Sequence, residues 1–279
     1  MLSRIETRVA SRYVQPLREG GSLPAVVETT EGELFVVKFR GAGQGARVLV
    51  AELVVGLLAR AVGLDAPELA IVDLSERFGR TEPDPEIQEL LRRSHGLNVG
   101  LRYLDGAFNF DPLAAGDLVD EAFATRLVWL DAFVTNPDRT ARNPNLMVWQ
   151  RRPWLIDHGA ALYAHHDWAS VDEARTRTPF PLIREHVLLT RAGDIAAADA
   201  ALAARLTPEV IGGVLAQVPD ALLTDAEASQ EFETADAARA RYAVYLRTRL
   251  ATPRAFVAEA AAARLRALQE PALHLSARR

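Results

Sequence analysis

Three side chains that carry oxygen ligands are spaced along one stretch of the sequence. Asp138 and Asn143 lie five residues apart in a polar loop, and Asp157 follows Asp138 by 19 residues, at the end of a short apolar run. A hairpin between Asn143 and Asp157 would bring all three side chains together, because a hairpin returns the chain to the edge from which it started. Carboxylate and amide oxygens suit Mg²⁺, whereas Zn²⁺ prefers cysteine and histidine. The chain has no cysteine and no suitably spaced histidine, so the pattern favours Mg²⁺.

Lysine occurs once in this sequence, at Lys38, beside 31 arginines. Lys38 lies in an apolar run, where an ammonium group needs a partner or a solvated cleft. Glu52 has only apolar neighbours one turn away in the helix predicted next, and a carboxylate there is costly unless it is paired. We therefore expect an ion pair between Lys38 and Glu52. The alternative is an exposed lysine at a strand end and a glutamate on the helix rim.

Short strands and one helix are predicted to position Lys38 and Glu52. Residues 24–28 and 33–40 are rich in β-branched and aromatic side chains and are separated by a turn sequence, which is typical of a hairpin. An apolar helix is predicted over residues 46–62, ended by Gly63. Residues 67–74 are predicted to form a further strand.

The second part of the chain is mainly helical in pattern. Apolar residues within 116–135 recur at the spacing of a helix with one buried face. A polar loop over 136–145 and a hairpin formed by 146–149 and 154–156 follow this helix. From about residue 196 the sequence predicts three or four helices. The fold class is therefore α+β, with a small β-rich part before a larger helical part.

Together, these motifs resemble those of the HipA-like kinases, which are relatives of the phosphatidylinositol kinases within the protein-kinase-like superfamily. That family has a strand lysine paired with a helix glutamate, a loop of the type N-x-D-R-x-x-x-N and a metal-binding segment of the type D-x-G. The corresponding residues here are Lys38 with Glu52, residues 136–143 and residues 157–159. The resemblance covers about residues 15–190.

The resemblance implies a bilobal protein-kinase-like fold and an ATP- and Mg²⁺-dependent kinase. The N-lobe would comprise residues 1–98 and the C-lobe residues 99–279, with ATP in the cleft between them. The catalytic residues that it implies are Asp138, Lys38, Glu52 and Arg139, and the metal ligands are Asn143 and Asp157.

Each of these residues has a role that follows from the family. Lys38, held by Glu52, would bind the α- and β-phosphates, and Asp138 would orient the acceptor hydroxyl and accept its proton. Arg139 would pair with a loop carboxylate or with phosphate, and Asn136 would brace the loop.

The nucleotide contacts that the resemblance implies for the first part of the chain rest on residues that depart from the usual kinase motifs. A turn formed by Gly20, Gly21 and Ser22 would cover the phosphates, and Tyr103, in the connection between the lobes, would contact adenine. No complete G-x-G-x-x-G motif precedes Lys38, and His158 replaces the phenylalanine of the protein-kinase D-F-G segment. Ser22 is a candidate for regulatory autophosphorylation or, alternatively, an ordinary turn serine.

Composition limits the partners and the location. The net charge of −5 and the absence of a long basic run argue against direct binding of nucleic acid. No apolar stretch approaches the roughly 20 residues of a membrane-spanning helix, and the N-terminus lacks the apolar core of a signal peptide, so we expect a cytoplasmic protein.

The acceptor and the class of protein stay open at this point. We expect ATP to be a partner and the acceptor to be a protein Ser or Thr, as in the HipA-like kinases. A small-molecule or lipid-headgroup acceptor is the alternative within the enzymes. The other possibilities are a nucleotide-binding pseudokinase or a toxin-like interaction protein with a regulatory protein partner.

Overall fold

A five-stranded barrel forms the N-terminal part of the computed structural model, which describes residues 4–17, 23–43, 45–225 and 231–269. Around the barrel the strand order is β1-β2-β3-β5-β4; β1 runs parallel to β4, and the other neighbours are antiparallel. These strands are β1 (Glu6–Pro16), β2 (Ala25–Thr29), β3 (Leu34–Lys38), β4 (Leu69–Leu74) and β5 (Gly96–Arg102).

Side-chain alternation on β3 directs Lys38 away from the barrel core. Phe35 and Val37 are fully buried among the apolar side chains that fill the barrel. Because successive side chains of a strand point to opposite faces, Lys38 lies on the outer face. The predicted hairpin of β2 and β3 and the strand β4 are confirmed. The sequence did not predict β1, most of whose residues are exposed.

Two helices pack around the barrel. Helix α1 (Gly45–Ala61) is buried on nearly every face, because it lies between the barrel and later helices. It ends before Gly63, whose φ of +82° confirms the predicted stop. Helix α2 (Pro85–Arg93) is capped by Asp84, whose carboxylate accepts hydrogen bonds from the N–H groups of the first turn, and it covers one side of the barrel through Leu91.

Helix α3 (Glu121–Phe133) leads into the polar loop. It begins later than predicted, because residues 116–118 form a separate 3-10 turn and Asp120 caps α3 by accepting from the N–H of Phe123. A small sheet of order β6-β7-β8 combines β6 (Phe108–Asn109), which precedes α3, with the two strands that follow the loop, β7 (Leu146–Trp149) and β8 (Arg152–Leu155).

The remainder of the described chain is helical. After the short helix α4 (Glu173–Thr176), five helices follow within the described residues rather than the predicted three or four. They are α5 (Ile195–Arg205), α6 (Pro208–Leu215), α7 (Asp220–Leu223), α8 (Ala235–Leu250) and α9 (Ala255–Gln269). None of the helices described here has both the length and the apolar character needed to cross a membrane.

Candidate active site

Lys38 joins the barrel to helix α1 and to the segment after β8. Its Nζ donates to Oε2 of Glu52 at 2.8 Å, which confirms the predicted ion pair, and to Oδ1 of Asp157 at 2.5 Å. The Glu52 side chain is fully buried, whereas 42% of the Asp157 side chain is exposed. Asp157 has a φ of +53°, so the chain bends sharply where this carboxylate projects. The second ion pair of Lys38 brings together residues that lie 119 positions apart.

Lys38 and Asp157 stabilise each other in their charged forms. Burial alone would lower the pKa of the Lys38 ammonium, but Glu52 and Asp157 raise it above its ordinary value. Burial likewise opposes ionisation of Asp157, yet Lys38 holds the pKa of that carboxyl below its usual range. Lys38 is therefore a fixed positive charge beside a partly exposed carboxylate.

Asp138 is held by two asparagines of the same loop. Its Oδ2 accepts from Nδ2 of Asn143 at 2.8 Å and from Nδ2 of Asn145 at 3.1 Å. Its backbone N–H donates to Oδ1 of Asn136 at 3.1 Å, and Asn136 in turn donates to Asp131 at 3.0 Å. The predicted bracing role of Asn136 thus has a clear geometric basis.

Arg139 is buried beneath the loop. Its Nε donates to Oδ2 of Asp131 at 2.6 Å, and both side chains are 0% exposed. Its Nη1 donates to the carbonyl of Asn145, and Val187 donates its N–H to the carbonyl of Arg139 at 3.0 Å. The sequence led us to expect a carboxylate of the loop or a phosphate as the partner, but the carboxylate belongs to Asp131 on helix α3. Arg139 stabilises the loop from within.

His186 completes the buried group around Asp131. Nδ1 of His186 accepts from the N–H of Leu188 at 3.0 Å, so Nε2 carries the proton and donates to Oδ2 of Asp131 at 3.0 Å. Burial opposes ionisation of Asp131, but Arg139 and His186 hold its pKa below the ordinary value. Asp131 is thus a buried anion that fixes the loop and the segment around His186 together.

His158 links the two halves of the site. Its backbone N–H donates to Oε2 of Glu52 at 2.8 Å, the oxygen that also accepts from Lys38. Its Nδ1 lies 3.3 Å from Nη2 of Arg139, which can only donate. Burial lowers the pKa of His158 to about 4, so the ring is neutral and can accept this bond.

Close packing beside His158 requires glycine at position 159. A Cβ atom built on Gly159 would lie 2.5 Å from Cγ1 of Val48 on helix α1. No side chain fits at that distance, so Gly159 lets the segment that carries Asp157 lie directly against α1.

The nucleotide contacts predicted for the first part of the chain are placed only in part. Gly20, Gly21 and Ser22 lie outside the described residues. Tyr103 directly follows β5, in the connection to the second part of the chain, and is 36% exposed. Its N–H donates to the carbonyl of Leu34 at 2.9 Å, so this group stabilises the barrel.

The proposed metal ligands fit a hard cation that is bound mainly together with substrate. Asn143 and Asp157 supply oxygen atoms at exposed or partly exposed positions. Within the described residues, no cluster of three or more His, Cys, Asp or Glu could hold a metal by itself. Mg²⁺ is commonly bound by one or two protein oxygens together with substrate phosphates, and Asn143 and Asp157 match that chemistry.

Three residues of this site were missed from the sequence: Asp131, Asn145 and His186. His158 was noted only as the replacement for a phenylalanine, and its contact with Arg139 was not predicted. Asp131 had a readable signal, since it is a carboxylate inside an apolar helix and needs a partner for the same reason as Glu52. Asn145 lies two residues beyond the motif, and its φ of +48° is set by the loop. His186 gave no local signal, because its contacts with Asp131 join positions that are 55 residues apart.

The chain is similar to known kinases in its sequence and in its fold. A family model described as HipA-like kinase matches residues 11–175, which is more than half of the chain. The crystal structure of a Helicobacter pylori proinflammatory kinase, CtkA, aligns with a TM-score of 0.53 at 14% sequence identity, covering 88% of this chain and 95% of that chain. At this identity the likeness concerns the fold alone, which is kinase-like. No curated protein shows significant similarity to the sequence.

Proposed function

The chain belongs to the HipA-like kinase family, and we propose that it transfers the γ-phosphoryl group of ATP, with Mg²⁺, to a hydroxyl group of an acceptor. One observation carries this proposal. Lys38 bridges the buried Glu52 and the partly exposed Asp157, and so fixes a compact positive charge beside a carboxylate that can bind a cation. Phosphoryl transfer depends mainly on such positioning and charge stabilisation.

Lys38 and Glu52 would act on the phosphates of ATP. The Lys38 ammonium donates along directions set by Glu52, so it is oriented before the nucleotide binds. A lysine ammonium binds phosphate oxygens as a point charge, which a planar guanidinium cannot match in the same space. This requirement accounts for the retention of one lysine in a chain of arginines.

Asp138 would orient the acceptor hydroxyl and accept its proton. Asn143 and Asn145 both donate to Oδ2 of Asp138, which leaves Oδ1 for the hydroxyl. Asn143 and Asp157 would hold Mg²⁺, which neutralises phosphate charge when it is bound. Arg139 acts from beneath the loop through Asp131, without contact to the substrate.

The acceptor that we propose is a Ser or Thr of a protein, which is the acceptor implied by the HipA-like family. We also propose the bilobal division at residue 98, with ATP between the barrel and the helical part and Tyr103 near adenine. Such a reaction draws on ATP and Mg²⁺, so we place the protein in the cytoplasm. The net negative charge supports an acceptor other than nucleic acid.

Two assays test this proposal, one of nucleotide binding and one of phosphoryl transfer. ATP with Mg²⁺ is expected to raise the melting temperature, and EDTA to remove the increase, because only the folded chain binds the nucleotide. Incubation with γ-labelled ATP and a cell extract distinguishes a labelled protein from a labelled small molecule. Failure of millimolar ATP and Mg²⁺ to shift the melting temperature, together with the absence of any labelled product, would refute the proposal.

A further inference from the structure

Two asparagines donate to the same oxygen of Asp138 but differ in their surroundings. Asn143 lies 2.8 Å from Oδ2 of Asp138 and is exposed, whereas Asn145 lies 3.1 Å from the same atom and is 7% exposed. A buried amide loses few conformations when it forms a hydrogen bond, so it holds its partner more firmly than an exposed amide. The two asparagines are therefore not equivalent supports for Asp138.

Asn145 is fixed from several sides. Its carbonyl accepts from the N–H of Ile156 at 3.1 Å and from Nη1 of Arg139. Its Nδ2 also lies 3.4 Å from the backbone carbonyl of Asp138. Its φ of +48° is a left-handed conformation that asparagine adopts more readily than most residues. The amide of Asn145 is thus directed at Asp138 by backbone contacts on both sides of the site.

The backbone of Asn143 is held by one neighbouring residue, Thr140, whose N–H donates to the carbonyl of Asn143 at 3.1 Å. The N–H of Asn143 lies 3.2 Å from the carbonyl of Thr140, which closes a turn, and its side chain reaches Asp138 from the exposed side. The amide oxygen of Asn143 is an acceptor that its bond to Asp138 does not use. That oxygen is available to bind a cation, whereas the buried amide of Asn145 is placed to hold Asp138 in one orientation.

We propose that Asn145 is the positioning residue for Asp138, and that Asn143 serves the cation instead. This inference rests on the proposed function, because it assigns a task within that reaction. With Asn145 holding Oδ2, the orientation of Asp138 does not depend on the side chain of Asn143. The sequence motif ends at Asn143, so the loop that acts in this chain extends to Asn145.

Two variants of Asn145 distinguish the effect of its amide group from the effect of its side-chain shape. Asn145→Gly removes the amide and tolerates the positive φ, while Asn145→Asp keeps the shape but replaces the donor with an oxygen that repels Asp138. Both are expected to lower kcat about 100-fold, the cost of a misplaced catalytic group, and to leave KM for ATP unchanged. Gln150→Gly is the matched control, because Gln150 is exposed, has a φ of +49° and lies in the β7–β8 turn.

Binding of Mn²⁺, followed by electron paramagnetic resonance in the presence of ADP, gives a readout that is independent of turnover. Asn143→Ala is expected to weaken Mn²⁺ binding, and Asn145→Gly is expected to bind Mn²⁺ as the wild type does. Wild-type kcat in Asn145→Gly, or equal loss of Mn²⁺ binding in the two variants, would overturn the inference while the kinase reaction stands. If the wild-type chain transfers no phosphoryl group at all, the proposed function fails, and this inference fails with it.

Discussion

Arg139 and Asp131 form an ion pair that is entirely buried, with Nε and Oδ2 2.6 Å apart and both side chains 0% exposed. Arg139 is adjacent to Asp138, so the ion pair lies directly beneath the proposed catalytic carboxylate. A buried charge whose partner is removed keeps its desolvation cost and loses the compensating attraction. The stability of the loop and the position of Asp138 therefore depend on a residue of helix α3.

Replacement of Asp131 by asparagine is predicted to destabilise the protein by about 3–5 kcal/mol, because Arg139 then stays buried without a counter-charge. Urea unfolding of Asp131→Asn measures the loss. The matched control is Asp65→Asn, which removes the ion pair with Arg152 at 2.6 Å, where the side chains of Asp65 and Arg152 are 34% and 65% exposed, and it should cost less than about 1 kcal/mol. Equal effects of the two substitutions would show that burial of the Arg139 pair is of no consequence.

Replacement of Lys38 by arginine is predicted to lower phosphoryl transfer by about 100-fold or more. The Lys38 side chain is 7% exposed and lies between Glu52 and Asp157, so a larger planar group cannot occupy the same position. Initial rates with labelled ATP measure the loss, and circular dichroism checks that the fold is retained. Arg151→Lys, at an exposed turn position, is the control with the reverse exchange and should be neutral. Normal turnover of Lys38→Arg would mean that the single lysine reflects composition alone.

Introduction of a methyl group at Gly159 is predicted to separate helix α1 from the segment that carries Asp157. The added Cβ would meet Val48 at 2.5 Å, so Gly159→Ala should lower both the melting temperature and the rate of transfer. The double variant Gly159→Ala/Val48→Ala removes the clash and should recover part of both losses. Gly212→Ala is the control, since a Cβ there meets nothing within 4 Å. If neither the melting temperature nor the rate recovered in the double variant, the clash with Val48 would not be the cause of the losses.

Stability is predicted to fall as the pH is lowered from about 6.5 to about 4. Burial lowers the pKa of His158 to about 4, whereas an unfolded histidine titrates near 6.5. Between these values the unfolded chain binds more protons than the folded chain, so protonation favours unfolding. The interval between the two pKa values corresponds to about 3 kcal/mol of stability. Burial also lowers the pKa values of His165 and His186, which adds to the same trend.

Urea unfolding at several pH values measures this dependence. His158→Phe removes one of the three titrating groups, so its free energy of unfolding should depend less steeply on pH than that of the wild type. An unchanged slope in His158→Phe would show that His158 is not a buried neutral group in the folded protein.

Local patterns were sufficient for much of the fold and for the Lys38–Glu52 pair. The β2–β3 hairpin, α1 and the β7–β8 hairpin follow from apolar periodicity and turn residues, which act over short distances. Strand β1 was missed because most of its side chains are exposed, so they show no clear apolar alternation. Its place in the barrel comes from pairing with β2 and β4.

The support of the loop could be predicted only in part, for a physical reason. Asp138, Asn143 and Asp157 stand in a recognisable spacing, whereas Asp131 and His186 act through contacts between distant positions. The sequence suggested that Arg139 would meet a loop carboxylate or phosphate. Arg139 is buried under the loop because α3 and residues 186–188 pack together, and the sequence alone does not show that these distant segments meet.

The most direct test of the account is the transfer of labelled phosphate from ATP by the wild type and by Asp138→Asn, measured together with nucleotide binding. Asp138→Asn removes the group that accepts the proton and leaves Lys38, Glu52 and Asp157 in place. We predict that the wild type labels an acceptor, that Asp138→Asn labels it at least about 100-fold more slowly, and that both raise their melting temperatures equally with ATP and Mg²⁺. Labelling of the acceptor by Asp138→Asn at the wild-type rate would contradict the account.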